Sequence, residues 1–315
     1  MPLLRTLRKS SIFGLLSLGV ALAPYPRGLF FEREWRFVHL ATAILICLAL
    51  ILRHSKDCRT LKVTALSRLD LLGLGLAGAY ALAVAGAVDK AAAIAEVLKV
   101  LNLYVVYRLM RTETCSAHRV RLFLVLLFSA GLGVALVGIA GALDVFSISG
   151  GYLNGRIYST FQYPNTLAIY LGFIVFVGLH LWSGTTGRWR RTFLPALYAI
   201  IVCLLATGSR GGIIIFGAGC VLLALLLPAR LRSDYCAKLA LSLGLGFSGT
   251  LVFQRFISEN NTLAAGLAFL LGAMVSWALN DENILGGVKS HRKHYRLVAG
   301  VLALSVGLAA VPVWV

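Results

Sequence analysis

The sequence predicts an all-α polytopic transmembrane helix bundle of about eleven spans with a cytoplasmic N-terminus. Three observations lead there: composition, the recurrence of long apolar runs, and the placement of charge between them. Of 315 residues, 59% are hydrophobic and only 13% charged, and mean hydropathy is +0.86. A water-soluble domain carries about 25% charged and about 45–50% apolar residues, so a soluble fold of this length could not hide the excess apolar surface. Soluble enzymes, disordered tails and disulfide-stapled secreted domains are excluded on that ground.

A helix needs roughly 20 mostly apolar residues to cross the hydrocarbon core. The apolar runs read as spans cover 11–25, 35–52, 69–88, 91–110, 122–143, 164–182, 193–207, 211–227, 239–253, 262–279 and 297–315. All read as helices, because backbone polar groups in lipid must be satisfied within the segment. With the N-terminus inside, the cytoplasmic segments 1–10, 53–68, 108–121, 183–192, 229–238 and 280–296 hold 22 of the 30 Lys and Arg residues. The opposite orientation inverts the positive-inside bias. Topology therefore explains most of the net charge of +18. A nucleic-acid partner is not expected, since a nucleic-acid site gathers its basic residues on one surface.

The first span has a second reading as a signal peptide, with Arg5, Arg8 and Lys9 ahead of an apolar stretch ending Ala21-Leu22-Ala23. Pro24 onward starts outside in either case. The six cysteines fall in spans or inner segments and show no CxxC spacing, so neither a disulfide framework nor a zinc site is indicated. No metal and no cofactor is expected. The chain reads as one integral membrane domain, 1–315.

Since topology accounts for the inner cations, the outer ones carry the information. Arg156 lies in the longest polar outer loop, which runs from Gly150-Gly151 through Tyr163-Pro164-Asn165. That Arg is either simply solvated or one wall of a ligand site. Tyr152, Tyr158, Phe161 and Tyr163 are placed to line a sugar or lipid headgroup, and Asn165 in the next helix's first turn either caps it or bonds a ligand. Arg210 lies in the tight turn Thr207-Gly208-Ser209-Arg210-Gly211-Gly212. Its rigid fork of donors suits phosphate oxygens, and the following helix begins there with open N–H groups. An interfacial Arg reaching up to lipid phosphates is the plainer alternative.

Glu96 and Lys99 are three apart on a predicted helix and can pair on one face. Such groups within a span are either a structural ion pair or a functional site. Of the six histidines only His39 falls in the outer half. A lone His on an apolar helix is more often a packed or hydrogen-bonded residue than a catalyst, and no nucleophile–base–orienter set can be read from the outer residues.

These residues together resemble the O-antigen ligase and polymerase superfamily of bacterial envelope glycan enzymes. The resemblance rests on Pro26-Arg27-Gly28-Leu29-Phe30-Phe31, on Leu69-Asp70-Leu71-Leu72, on Gly155-Arg156 through Tyr163-Pro164-Asn165-Thr166-Leu167-Ala168, and on Thr207 to Gly212. Their order, spacing and sidedness agree over roughly residues 1–230. Three further spans follow in 231–315, and the chain ends on the outer face.

The resemblance implies metal-independent inverting glycan transfer at the outer face of a bacterial cytoplasmic (inner) membrane. A saccharide passes from an undecaprenyl-pyrophosphate carrier to an acceptor glycan, lipid or protein. Arg210 and Arg156 match the arginines that hold the pyrophosphate. Arg27, Tyr163, Asn165 and Ser209 are the expected substrate-lining residues, and membrane lipid is the expected surround.

One departure is plain. The family places its general-base His in a large late outer loop, whereas here Ile257-Ser258-Glu259-Asn260-Asn261 is short and has none. No catalytic base is therefore assigned. The chain reads as a truncated or split member, with a second polypeptide as a possible source of the missing loop. The alternative is a non-catalytic binding partner or a transporter of a lipid-linked saccharide.

Overall fold

The computed structural model describes residues 2–54, 67–114, 116–146 and 148–280. Among them are ten α-helices: α1 (Pro2–Leu22), α2 (Glu32–His54), α3 (Arg68–Ala83), α4 (Lys90–Glu113), α5 (Ala117–Ala142), α6 (Pro164–Ser183), α7 (Phe193–Ala206), α8 (Arg210–Leu226), α9 (Ala229–Ser258) and α10 (Thr262–Leu279). The only sheet among the described residues is an antiparallel hairpin of two short strands, β1 (Tyr152–Leu153) and β2 (Arg156–Ile157). The all-α class is as expected, and each of the first ten predicted spans has its helix. The eleventh, 297–315, lies outside the described residues.

Among the described residues, six helical segments are long and apolar enough to cross a membrane: Arg68–Gly86, Ala117–Ala142, Pro164–Ser183, Arg188–Ala206, Ala229–Ser258 and Thr262–Leu279. α4 falls short of that standard because Lys90, Glu96, Lys99, Arg108, Arg111 and Glu113 punctuate it. Helix ends also overrun the apolar runs. The run predicted at 239–253 sits inside the 30-residue α9, which starts just after Pro228 and carries Arg230, Arg232 and Lys238 in its first turns. Hydropathy marks the bilayer thickness, while the helix continues until its hydrogen-bond ladder is broken.

The chain divides into two compact units: Met1–Ala23 with Leu29–Phe123, and Pro24–Gly28 with Leu124–Val315. In the first, α4 packs against α1, α2 and α3. Its firmest polar joint is at the start of α3. Ser67 and Asp70 form a capping box there, in which Ser67 N–H donates to Asp70 Oδ2 at 2.7 Å and Asp70 N–H donates to Ser67 Oγ at 3.2 Å. The same carboxylate, fully buried, ion-pairs with Arg108 at 2.9 Å and accepts a hydrogen bond from Arg111 Nη1 at 2.5 Å. Three charges thus tie α3 to α4.

Removing the anion would leave both guanidinium groups uncompensated, which costs more than losing one cap. Asp70→Asn is therefore expected to lower the thermal midpoint of the purified protein more than Ser67→Ala does. Thermal unfolding of the two variants in one detergent decides it, and equal midpoints would reduce the joint to its cap.

The second unit is built around α7. Leu194, Leu197, Ile200, Ile201 and Leu204 are wholly buried, and α6, α9 and α10 surround this helix. A helix apolar on every side belongs in such a centre. Close approach is made by small residues: a Cβ at Gly246 would collide with Ile201, and one at Gly178 with Phe128 and Leu197. By contrast Ile214, Leu225 and Leu226 on α8 are 71%, 68% and 74% exposed. Apolar surface of that extent marks a membrane or a partner face.

Candidate functional site

The candidate residues of the second unit gather at one end, where α6 and α8 begin and the 148–163 segment folds over. The local chemistry builds this segment in steps. Asn154 and Gly155 both take positive φ, 51° and 73°, and join β1 to β2 in a two-residue turn. That is the preferred hairpin turn, because its twist matches that of the strands. Arg156 follows immediately, paired across the ladder with Leu153. Ile157 beside it is 1% exposed and pins the hairpin to the core. Ser159 Oγ donates to Val134 O at 2.6 Å, and Pro164 opens α6 at a position where its missing N–H costs nothing.

The turn before α8 meets this hairpin. Arg156 Nε donates to Thr207 O at 2.7 Å, and Gly208 lies against the same side chain. Gly208 has φ +59°, a conformation open to glycine at little cost. Thr207 Oγ1 donates to Leu204 O at 2.7 Å and accepts from Ser209 N–H at 3.2 Å, which closes the end of α7. Ser209 then caps α8, accepting from Gly212 N–H at 3.0 Å while its hydroxyl donates to Asn165 Oδ1 at 2.8 Å. Asn165 Nδ2 reaches Tyr163 OH at 3.4 Å.

Hydrogen bonds thus join Tyr163, Asn165 and Ser209 in one set, with Arg156 bonded to Thr207 in the same turn and Arg210 next to Ser209 in the chain. Within it the roles divide. Ser209 is wholly buried with both hydroxyl functions spent, so it holds the turn. Asn165 ties the start of α6 to the start of α8 and does not cap its own helix. Ser209→Ala is expected to destabilise the protein by about 1 kcal/mol, the usual value of such a cap, and to loosen Asn165. Chemical denaturation checks the first effect, and amide exchange at the α8 N-terminus checks the second.

Arg210, the first residue of α8, is exposed and has no hydrogen-bond or ion-pair partner among the described residues. Arg156 uses only Nε, so its two terminal nitrogens have no partner among the described residues either. Two guanidinium groups with donors to spare thus stand by a helix N-terminus, a combination suited to oxyanions. Arg27 stands on the adjoining Pro24–Gly28 segment, which is fixed to the 148–163 fold by Thr160 Oγ1 donating to Pro24 O at 2.9 Å and by Gly28 lying against the Phe161 ring. Beside the hairpin, Val137, Gly141, Asp144, Ile148 and Tyr152 line a cleft of about 150 Å³. Burial raises the Tyr152 phenol's pKa, so it stays a neutral hydroxyl.

Sequence reasoning missed the Asp70–Arg108–Arg111 joint, because inner cations were attributed to topology alone. The signal was present as Ser67-x-x-Asp70 at a helix start with two Arg three apart. It also left His39 unassigned. In the first unit His39 Nδ1 sits 2.7 Å from Asn102 Nδ2, a hydrogen bond between α2 and α4. Glu96 and Lys99 do pair, at 2.5 Å. Among the described residues no three His, Cys, Asp or Glu side chains assemble as a metal site. The fold and site define a helical protein with apolar, membrane-length helices and an arginine-bearing end. No family model, curated protein or solved structure matches the chain.

Proposed function

We propose that this chain is a multi-pass protein of the bacterial cytoplasmic membrane, with eleven spans and its N-terminus inside, whose second unit binds the pyrophosphate of an undecaprenyl-linked glycan at the outer face for transfer to an acceptor. The observation that carries the reading is Arg156 bonded to the turn before α8 and Arg210 at that helix's first residue, each with donors left over. It is supported by the resemblance of the motifs on these segments to the O-antigen ligase and polymerase superfamily, and by the exposed apolar side chains of α8 and of α3, where Leu69, Leu72 and Leu82 are exposed.

The chemistry asked of the site is limited. An acceptor hydroxyl attacks the anomeric carbon from the face opposite the carrier, its proton passes to a base, and the C–O bond to the pyrophosphate breaks with the electron pair leaving on the phosphate oxygen. The arginines stabilise that departing charge, where fixed donors have their largest effect on rate. No histidine is described at this end of the unit, where Asp144 in the cleft beside the hairpin is a carboxylate. His180, the described histidine of the second unit, lies at the far end of α6. A partner polypeptide bearing a His is the natural source. The second reading is a binder or transporter of the lipid-linked saccharide that leaves transfer to another protein.

Binding comes first in the test. The full chain in lipid nanodiscs should retain undecaprenyl pyrophosphate in preference to undecaprenol, and inorganic pyrophosphate should compete. Equal retention of the two lipids would overturn the proposal. Glycan transfer on adding the native membrane extract would then separate the enzyme from the binder.

A further inference from the structure

α5 ends on a residue that its local chemistry does not favour. Asp144 N–H donates to Gly141 O at 3.3 Å and Val145 N–H to Ala140 O at 3.0 Å, the two closing bonds of a Schellman motif. The motif sets Asp144 in the left-handed region, at φ 57°, where glycine is usual and asparagine occasional. Asp144 also brings a negative charge to the negative end of a 26-residue helix. Its carboxylate has no hydrogen-bond or ion-pair partner among the described residues. Two local penalties fall on one residue, and a cation at that place would offset both.

Asp144 lines the cleft of about 150 Å³ between the end of α5 and the hairpin, together with Val137, Gly141, Ile148, Tyr152 and Ser159. Several donors in the wall are already spent. Ser159 Oγ donates to Val134 O at 2.6 Å, Ser159 N–H to Gly151 O at 2.8 Å, and Gly151 N–H to Ile148 O at 2.8 Å. The side-chain groups left without a partner among the described residues are the Asp144 carboxylate and the Tyr152 phenol, several lone pairs against one hydrogen. Arg156 does not answer them. Side chains alternate along a strand, so Arg156 leaves the hairpin on the face opposite Ile157 and its ladder partner Tyr152, and its Nε bonds Thr207 O.

A cleft rich in acceptors and negative in charge asks for donors and positive charge. An ammonium group has three donors and no acceptor, whereas a phosphate or carboxylate would be repelled. The Tyr152 ring suits a cation, and Val137 and Ile148 suit the carbon chain that carries one. A bare metal ion needs more ligands than one carboxylate, and no three metal-ligating side chains assemble among the described residues. We infer that the cleft between the C-terminus of α5 and the hairpin is a binding site for a primary ammonium group, held by Asp144 and Tyr152. The group belongs either to a lipid headgroup or to a soluble amine. The inference does not rest on the pyrophosphate reading, and either stands without the other.

The test is saturation-transfer NMR on the full chain in phosphatidylcholine nanodiscs, whose headgroup has no N–H. Ethanolamine is the probe and ethylene glycol its neutral counterpart. Saturation should reach the ethanolamine methylene protons and not those of the glycol. Affinity should fall about tenfold in Asp144→Asn, which keeps the shape and removes the charge, and about fivefold in Tyr152→Phe. Asp144→Gly should lose binding with no fall in thermal midpoint, because glycine suits the left-handed position, so misfolding would not account for the loss. Phosphatidylethanolamine placed in the disc should displace the probe if the amine is a lipid headgroup and leave it bound if the amine is soluble; both results keep the ammonium site. No saturation of ethanolamine, equal saturation of the glycol, undiminished binding in Asp144→Asn, or calcium bound in place of ethanolamine would each overturn the inference.

Discussion

On the proposed function, Arg210→Ala is expected to weaken binding of the pyrophosphate carrier and to lower glycan transfer by about a hundredfold, the usual consequence of removing one fixed donor from a developing oxyanion. Arg210→Lys should recover part of the loss and remain about tenfold below the wild type, because a point charge cannot offer two parallel N–H bonds to one phosphate. Neither variant should change thermal stability, since Arg210 is exposed and has no partner among the described residues to lose.

Arg156 should behave differently. Its Nε bond to Thr207 O braces the turn before α8, so Arg156→Lys removes a structural hydrogen bond as well as a ligand donor. That variant is expected to lose activity together with about 1 kcal/mol of stability. The measurements are initial transfer rates and carrier binding in nanodiscs, alongside thermal unfolding. Transfer at the wild-type rate by Arg210→Lys would show that Arg210 is no phosphate clamp.

The helices were legible because lipid leaves the backbone few alternatives: an apolar run of spanning length has to close its hydrogen bonds internally. Their ends were not, as α9 illustrates. Nothing in 229–238 breaks a helix, yet its charges end the apolar run. The site divides in the same way. Its candidate residues could be read from local chemistry, and even the hairpin was announced by Asn154-Gly155, a signal the loop's polarity masked. The bonds that assemble them could not. Arg156 to Thr207 and Asn165 to Ser209 join residues 51 and 44 positions apart. No single-sequence pattern encodes that meeting, which depends on how α6, α7 and α8 pack.

The tight turn makes the same point and supplies the second large effect. In sequence, Gly208, Gly211 and Gly212 look like one device for reversing the chain. In the structure they do three different things. Gly208 provides the positive φ and room for the flexible Arg156 side chain. Gly211 faces open space, with nothing within 4 Å of where its Cβ would lie. Gly212 is the contact between helices: its Cβ would collide with the Cβ of Ala168 on α6 and come within 2.9 Å of Ser209 Oγ.

Gly211→Ala should therefore be neutral or stabilising by up to about 1 kcal/mol, from helix propensity alone. Gly212→Val should be among the most damaging single changes in the second unit, at about 3 kcal/mol. Ala168 Cβ is fixed to the backbone and cannot swing away, so α6 and α8 must separate. Separation would pull Asn165 from Ser209, and the same variant should lose carrier binding even in the fraction that remains folded. Denaturant midpoints for Gly211→Ala and Gly212→Val, read beside carrier binding, test the packing directly. If Gly212→Val kept both, the approach of α6 to α8 would not be what holds Asn165 and the start of α8 together.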